Sequence, residues 1–215
     1  MFYMRRPSNL LLISLGLALG LVTACGKSEY SKGGPLALTV TRANSAELQG
    51  RWVSECDDDG KRPLSGILEM TFEGHKVHAI MRTFTGRACQ DLYEEWELKG
   101  NFALGDIVNE PEGAQAIDYQ VDAITRLAGS DDVAAELNKR KSCGIADWKS
   151  KVPRDLMKTP CKSDVWMAQV PFDVILFEGD RIRIGRPGKK DGTSAEQRVV
   201  ELLDASLRRA AAAAP

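Results

Sequence analysis

The stretch that decides the fold is ILEMTFEGHKVHAIMR, residues 67–82. Apolar and polar side chains alternate with a period of two up to Glu73-Gly74, and the alternation resumes after it. Successive side chains of a β-strand point to opposite faces, so the pattern indicates two strands with one apolar face each. A glycine in the short connection between such runs is typical of a β-hairpin. The stretch therefore predicts an antiparallel hairpin.

The segments on both sides of this hairpin continue the pattern. Further extended runs lie at residues 47–56, 92–98, 102–107, 117–123, 174–177 and 182–184. The stretches Lys99-Gly100-Asn101 and Glu178-Gly179-Asp180 have the composition of turns between neighbouring runs. About eight short strands joined by tight turns favour a mainly β fold, an up-and-down antiparallel β-barrel.

Two segments have the period of a helix instead. Residues 131–141 start with acidic side chains and end with basic ones, which suits the helix dipole and predicts a short inserted helix. Near the C-terminus, Ser194-x-x-Gln197 resembles a capping box and precedes an apolar stripe, which predicts a second, C-terminal helix packed outside the sheet. The stripe consists of Val199, Val200, Leu203 and Leu207.

The N-terminus has the features of an export signal. Arg5 and Arg6 precede an apolar run from Leu10 to Val22, which ends in small residues. This run is too short to span the ~30 Å core of a bilayer comfortably, so a removed signal peptide is favoured over a retained transmembrane helix. We expect a signal at residues 1–24, a flexible tether at 25–45 and a barrel domain at 46–210.

The end of this signal, Val22-Thr23-Ala24-Cys25, resembles the lipobox of bacterial lipoproteins. The resemblance implies that the Cys25 thiol carries diacylglycerol, that the signal is cut before Cys25, and that the new amino group is acylated. Acyl chains of this kind hold a protein on a membrane without spanning it. Gly26 stands where an aspartate would resemble an inner-membrane retention signal, which implies the periplasmic face of the outer membrane.

The charge of the mature chain gives no sign of a nucleic-acid partner. Removal of residues 1–24 takes two arginines and no acidic residue from the 29 basic and 30 acidic side chains, which leaves 27 and 30, a net charge of −3. A strongly basic balance, as nucleic-acid binding requires, is absent from this composition. The remaining 191 of 215 residues suit one domain.

Four cysteines remain besides Cys25, namely Cys56, Cys89, Cys143 and Cys161. An even set in an oxidising compartment predicts two disulfides. Three connectivities are open, of which the sequential one, Cys56 with Cys89 and Cys143 with Cys161, closes the shorter loops. A zinc site is the alternative, but the four form no C-x-x-C pair.

The segment between the last two cysteines differs from the strands around it. It is rich in lysine, serine and proline, and its only aromatic residue is Trp148. We therefore expect a loop excursion at about residues 130–162, held by its own disulfide, with Trp148 outside the core.

The first strand carries Gly50-Arg51-Trp52, which resembles the G-x-W motif of lipocalins and the wider calycin group. The resemblance implies a lipocalin-like barrel in which Trp52 closes one end and an arginine of the last strand lies over its ring. Arg183 is the central candidate for that arginine, and Arg181 and Arg186 are the others. The contact would be a cation–π interaction.

Two functions follow from this resemblance. The first is a binding protein that holds a small apolar or amphipathic ligand in the barrel. Four apolar side chains of the central strands are the candidates for lining its site: Met70, Phe72, Met81 and Trp96. The alternative is an envelope lipoprotein with a filled barrel that acts through protein–protein contacts, in a structural or inhibitor role.

The sequence offers little for catalysis or metal binding. His75 and His78 are three residues apart in a strand-like run and would point to opposite faces. The run Asp57-Asp58-Asp59-Gly60 lacks the later acidic ligand of a calcium loop and is better explained as a solvated turn. No nucleophile elbow, phosphate-binding loop or H-E-x-x-H motif occurs in the sequence. We expect no enzyme activity, no cofactor and no metal.

Overall fold

Strands dominate the part of the chain that the computed structural model describes, residues 45–58, 63–159, 161 and 171–211. The predicted signal, Cys25 and the predicted tether lie outside the described residues. In chain order the elements are α1 (Ser45–Leu48), β1 (Gly50–Ser54), β2 (Leu64–Glu73), β3 (Lys76–Thr85), β4 (Asp91–Ile107), β5 (Gln115–Ala128), α2 (Asp131–Lys139), a 3-10 turn (Ser142–Gly144), β6 (Arg154–Asp155), β7 (Phe172–Glu178), β8 (Arg181–Arg186), β9 (Glu201–Leu202) and β10 (Leu207–Arg209).

Eight of these strands form a closed barrel. Each pairs in antiparallel fashion with the next in the order β10, β1, β2, β3, β4, β5, β7, β8, and β8 pairs back to β10. The two-residue strands β6 and β9 add to β5 and β8 outside this circuit. The prediction of a mainly β fold with an antiparallel barrel is confirmed, and the architecture is compatible with a calycin-like fold.

The hairpin of residues 67–82 is confirmed in the pairing of β2 with β3. Met70 lies opposite Ala79, Leu68 opposite Met81, and Phe72 opposite Val77, so the apolar positions of both strands share one face. Gly74 forms the turn at φ +60°, a conformation that glycine adopts without strain. The shared face points into the barrel, where Met70 and Phe72 are fully buried.

The predicted turn at Lys99-Gly100-Asn101 is wrong. Residues 91–107 form one continuous strand, β4, whose register against β5 shifts between Lys99 and Gly100. A Cβ atom at Gly100 would lie 2.1 Å from the carbonyl oxygen of Gln120. The glycine therefore marks a β-bulge with close backbone approach, and not the end of a strand.

The predicted C-terminal helix is also wrong. The backbone N–H of Gln197 does donate to the Ser194 carbonyl at 3.1 Å, but this is an isolated turn, and strands β9 and β10 follow within the described residues. Strand β10 pairs with β1 on one side and β8 on the other, and its Leu207 is 1% exposed. Closing the barrel satisfies the backbone groups of two strand edges at once, which an outer helix would leave open.

The short inserted helix is confirmed as α2. The Ser130 hydroxyl caps it by accepting from the backbone N–H of Val133 at 3.3 Å. Asp131 and Asp132 occupy its first turn, where acidic side chains are favoured by the helix dipole. Its buried residues are Val133, Ala134 and Leu137.

Both disulfides have the sequential connectivity, the one that closes the shorter loops. Cys56 is bonded to Cys89, with Cα atoms 6.0 Å apart, and Cys143 to Cys161, with Cα atoms 5.0 Å apart. The first ties the end of β1 to the turn between β3 and β4. The second closes the excursion after α2.

The strand register defines the two ends of the barrel. At the first, the start of β1 pairs with the end of β2 and with the end of β10, and Gly50 and Arg209 lie there. At the second, Ser54 ends β1, and Thr83, Glu94 and Ala128 lie side by side on β3, β4 and β5. We name these the entry end and the excursion end, since the chain enters at the first and the excursion leaves from the second.

Candidate functional site

The entry end is closed by Trp52, as the resemblance implies. The indole is 1% exposed, and its Nε1–H donates to the carbonyl of Leu48 at 2.7 Å. The guanidinium of Arg209 lies 4.3 Å from the ring centroid. It donates to the carbonyls of Gln49 and Glu47, which fixes it above the ring.

Glycine at position 50 has a structural reason within this closure. Its φ is +105°, and a Cβ atom there would lie 3.4 Å from Nη1 of Arg209. A side chain would be strained by the backbone conformation, and its Cβ would contact the guanidinium. The Gly50-Arg51-Trp52 motif is therefore a fold motif in this chain.

The arginine over Trp52 is Arg209, and the prediction of Arg183, with Arg181 and Arg186 as the other candidates, is wrong. Ile182 and Ile184 take the inward positions of β8 and are fully buried, so Arg181 and Arg183 on the other parity point outward. Arg183, for example, pairs with Glu178 at 2.9 Å on the outer surface. Arg186, at the end of the strand, pairs with Glu201 and Asp204 at 3.5 Å instead.

Arg209 was missed because its segment was assigned to a helix. In a strand, the spacing of Leu207 and Arg209 places both on the inner face.

The excursion end is built around a buried arginine, Arg126. It lies opposite Trp96 in the β4–β5 register and shares the inner face of the barrel. Its Nε donates to Oε2 of Glu94 at 3.0 Å, and its Nη2 bonds the same oxygen. The two side chains are 9% and 15% exposed, so the pair is largely desolvated. The guanidinium carbon lies 4.6 Å from the centroid of Trp96.

The excursion packs onto this arginine through Trp148, which corrects the prediction that Trp148 lies outside the core. Trp148 is 3% exposed, and its ring centroid is 5.6 Å from the Arg126 guanidinium carbon. Its backbone N–H donates to Asn138 Oδ1 at 2.6 Å, and its Nε1–H donates to the Ser142 carbonyl at 3.2 Å. Arg126 Nη1 donates to the Ser142 hydroxyl at 3.1 Å.

The excursion therefore covers the β4–β5 side of the barrel end and belongs to the main hydrophobic cluster. Sequence reasoning missed Arg126 because the predicted strand ended at Ala123. If the strand is continued past the register shift at Ala123, the alternation of Ile124, Arg126 and Ala128 places the arginine on the inner face of the barrel.

The four predicted ligand-lining residues all lie on the inner face of β2, β3 or β4. Met70 and Phe72 are fully buried and Trp96 is 7% exposed, whereas Met81 is 41% exposed. Met81 lies between Leu68 of β2 and Trp96 of β4 in the register. The four residues are therefore split between a packed interior and an open edge.

An inward-facing methionine that is exposed marks an opening. The excursion covers the β4–β5 side of this end, while the inner face of β2 and β3 meets solvent at Met81. We name Leu68, Met81 and Trp96 the mouth site. Below it the interior is filled, and Phe72 and Phe102 meet edge to face with centroids 5.1 Å apart.

A second buried polar side chain, Asp173, lies on β7 and is less exposed than Arg126. Asp173 is fully buried, and burial raises its pKa to about 7. Its Oδ1 accepts from the backbone N–H of Val174 at 2.7 Å, and Arg198 donates to its backbone carbonyl at 2.9 Å. Burial and the Asp173 charge together raise the pKa of Tyr119. With no exposed surface, Asp173 does not belong to the mouth site.

The charged residues of the outer face pair with one another. His78 Nε2 lies 2.8 Å from Glu97 Oε1, and Glu69 accepts from both Arg51 and Arg82. The hydrogen bond from Arg51 lowers the pKa of Glu69, and the hydrogen bond from Lys99, followed by the one with His78, lowers the pKa of Glu97. Within the described ranges, no three histidine, cysteine or acidic side chains lie close enough together to hold a metal ion.

No helix in the described part of the chain is both long and apolar enough to cross a membrane.

Comparison of the sequence with known proteins finds no matching family model and no similar curated protein.

Proposed function

We propose that this chain is a lipid-anchored β-barrel protein of the bacterial envelope that binds a small apolar or amphipathic molecule at the mouth site. The observation that carries the proposal is Met81, which is 41% exposed although it faces inward between Leu68 and Trp96. A flexible thioether beside an indole suits apolar ligands of varied shape. The proposed role is non-enzymatic and needs neither cofactor nor nucleic acid.

The packing below the mouth limits the size of the ligand. Phe72, Leu98 and Ile124 fill the interior under the opening and are at most 5% exposed. An eight-stranded barrel has an interior that is either filled by its own side chains or just wide enough for one small ligand, and here side chains fill it. A ligand that lies on Met81 and does not enter the interior needs no repacking of this core.

The location rests on the N-terminal sequence and on the cysteines. The lipobox resemblance at Cys25 supports a lipid anchor, and Gly26 supports the periplasmic face of the outer membrane. Two disulfides in one domain are typical of proteins that fold outside the cytoplasm.

Metabolic labelling with a palmitate analogue tests the anchor. The wild-type chain should carry the label, and the Cys25→Ser chain should not. Label on both chains, or on neither, would contradict the proposed anchor.

Titration with the fluorescent apolar probe N-phenyl-1-naphthylamine tests the mouth site. Binding should saturate for the wild type, and Met81→Glu should weaken it about tenfold or more, since a charge would replace an apolar contact worth ~1.5 to 3 kcal/mol when fully buried. Ile107→Glu is the matched control, because Ile107 is 38% exposed at the far end of β4. Equal weakening by both changes would exclude the mouth as the binding site.

The filled interior supports a second function. A barrel whose inward side chains form one packed cluster needs no ligand for stability, and it could act through protein–protein contacts in the envelope. Under this alternative the probe does not bind saturably to the folded wild-type protein. The same titration therefore separates the two functions.

A further inference from the structure

The part of the excursion from the last turn of α2 onward carries a local excess of positive charge, in contrast to the acidic first turn of α2. Residues 139–158 contain seven basic and two acidic side chains, while the rest of the predicted mature chain contains 20 basic and 28 acidic ones. Six of the seven basic residues are exposed: Lys139, Arg140, Lys141, Lys149, Lys151 and Lys158. The net charge of −3 thus hides one basic region on an otherwise acidic domain.

Most of these charges are not neutralised by neighbours. Arg154 pairs with Asp147, and Arg140 with Glu136 at 3.3 Å. Among the described residues, none of the five lysines lies within ion-pair distance of a carboxylate. The lysine charges are therefore available to a partner.

An apolar tip lies within this basic region. Val152 is 43% exposed, Pro153 is also exposed, and the two stand between Lys151 and Arg154. The turn that presents them is well anchored, since the backbone N–H of Lys151 donates to the carbonyl of Ala128 at 2.8 Å. An exposed apolar tip flanked by cations suits the boundary between phosphate head groups and acyl chains.

We infer that the turn at residues 149–158 docks on an anionic phospholipid surface. The lysines meet the phosphate groups, and Val152 and Pro153 enter the interfacial layer. This contact is separate from the anchor at Cys25. It also lies at the excursion end, so docking brings the mouth site to the bilayer, from which an amphipathic ligand could be taken up directly.

The experiment compares two kinds of vesicle with the full chain added to both. One kind is pure phosphatidylcholine, and the other contains phosphatidylglycerol. The readout is amide hydrogen exchange of the peptide covering residues 149–158. We expect slower exchange with phosphatidylglycerol than with phosphatidylcholine, and loss of the difference at high salt.

Matched charge reversals localise the contact. Lys149→Glu with Lys151→Glu should abolish the protection, because each lysine near an anionic surface contributes about fivefold in affinity. Lys76→Glu with Lys99→Glu changes the net charge equally on the outer face of β3 and β4 and should leave the protection intact. If both double substitutions removed the protection equally, only the net charge of the chain would matter. That result would overturn the inference.

Two further outcomes would also overturn it. Identical exchange in both kinds of vesicle would exclude the anionic lipid contact. Protection by soluble dextran sulfate without protection by phosphatidylglycerol would assign the lysines to an anionic polymer instead. A failure of the Cys25 anchor is distinguishable, since it abolishes flotation with phosphatidylcholine vesicles and leaves the response to phosphatidylglycerol in place.

Discussion

Both ends of the barrel place an arginine over a tryptophan, but the two arginines are neutralised in different ways. At the entry end, Arg209 is exposed and donates to backbone carbonyls, which are neutral partners. At the excursion end, Arg126 is 9% exposed and pairs with the carboxylate of Glu94. The first end is closed by the barrel strands and α1, and the second by a separate segment of the chain.

The difference indicates that two similar arginine–tryptophan contacts contribute differently to the stability of the barrel. A guanidinium that stays in water loses little solvation and contributes a modest cation–π energy, so the stability of the entry end depends mainly on the indole beneath it. A guanidinium that is taken out of water needs its carboxylate, so the excursion end depends on the pair as a unit.

The largest expected effect is the loss of either tryptophan. Trp52→Ala should lower the free energy of unfolding by ~3 to 5 kcal/mol, because Trp52 is 1% exposed in the core. Trp148→Ala should cost a comparable amount, since Trp148 is 3% exposed and holds the excursion on the barrel. Urea denaturation measures both. A cost below about 1 kcal/mol for Trp148→Ala would show that the excursion is not part of the cooperative core.

The two tryptophans also differ in how far their positions can be predicted from the sequence. Local alternation predicts the hairpin of residues 67–82, because it depends only on two adjacent strands. The place of Trp52 follows from the resemblance of Gly50-Arg51-Trp52 to the G-x-W motif. Trp148 was misplaced because its burial depends on Arg126, which no local pattern connects to it.

The prediction of a C-terminal helix was wrong for a similar reason. The spacing of Leu203 and Leu207 suits a helix, but Leu207 is used to close the barrel against β1 and β8. The composition of Lys99-Gly100-Asn101 predicts a turn, whereas the glycine is needed because the Gln120 carbonyl of the next strand approaches it closely. The roles of Leu207 and Gly100 therefore become clear only when the strands that pair with them are known.

The next effect concerns the charge beneath Trp148. Glu94→Gln should cost about 3 kcal/mol in the free energy of unfolding, because it leaves the Arg126 cation desolvated without a counter-ion. Glu95→Gln is the control, since Glu95 pairs with Arg82 at 2.7 Å on the outer face and is 21% exposed. That change should cost less than about 1 kcal/mol. Similar denaturation midpoints for both variants would contradict a special role for the Arg126 pair.

A comparable effect is expected from the disulfide of the excursion. Cys143→Ala with Cys161→Ala opens a loop of 18 residues and should cost about 3 kcal/mol on the chain-entropy estimate. Hydrogen exchange should speed up in α2 and remain unchanged around Trp52, because the entry end does not depend on this bond. Faster exchange at both ends would mean that the two closures are coupled.

The smallest effect is expected at the entry end itself. Arg209→Met keeps an unbranched side chain over Trp52 and removes the cation, and it should cost ~0.5 to 2 kcal/mol. Urea unfolding of Arg209→Met and of Glu94→Gln under the same conditions shows which end of the barrel loses more free energy of unfolding. A larger cost for Arg209→Met would reverse the comparison between them.

Strand β10 is only three residues long, yet it joins the last part of the domain to the first. Trp52 is paired with Arg209 across almost the whole domain, so the barrel cannot close until the end of the chain is available. Such long-range pairing slows folding. A chain that stops before Leu207, or one whose last residues are not yet synthesised, would present β1 and β8 as edges that can pair with other chains. For this protein, the final strand is what separates a closed barrel from an open sheet with two unpaired edges.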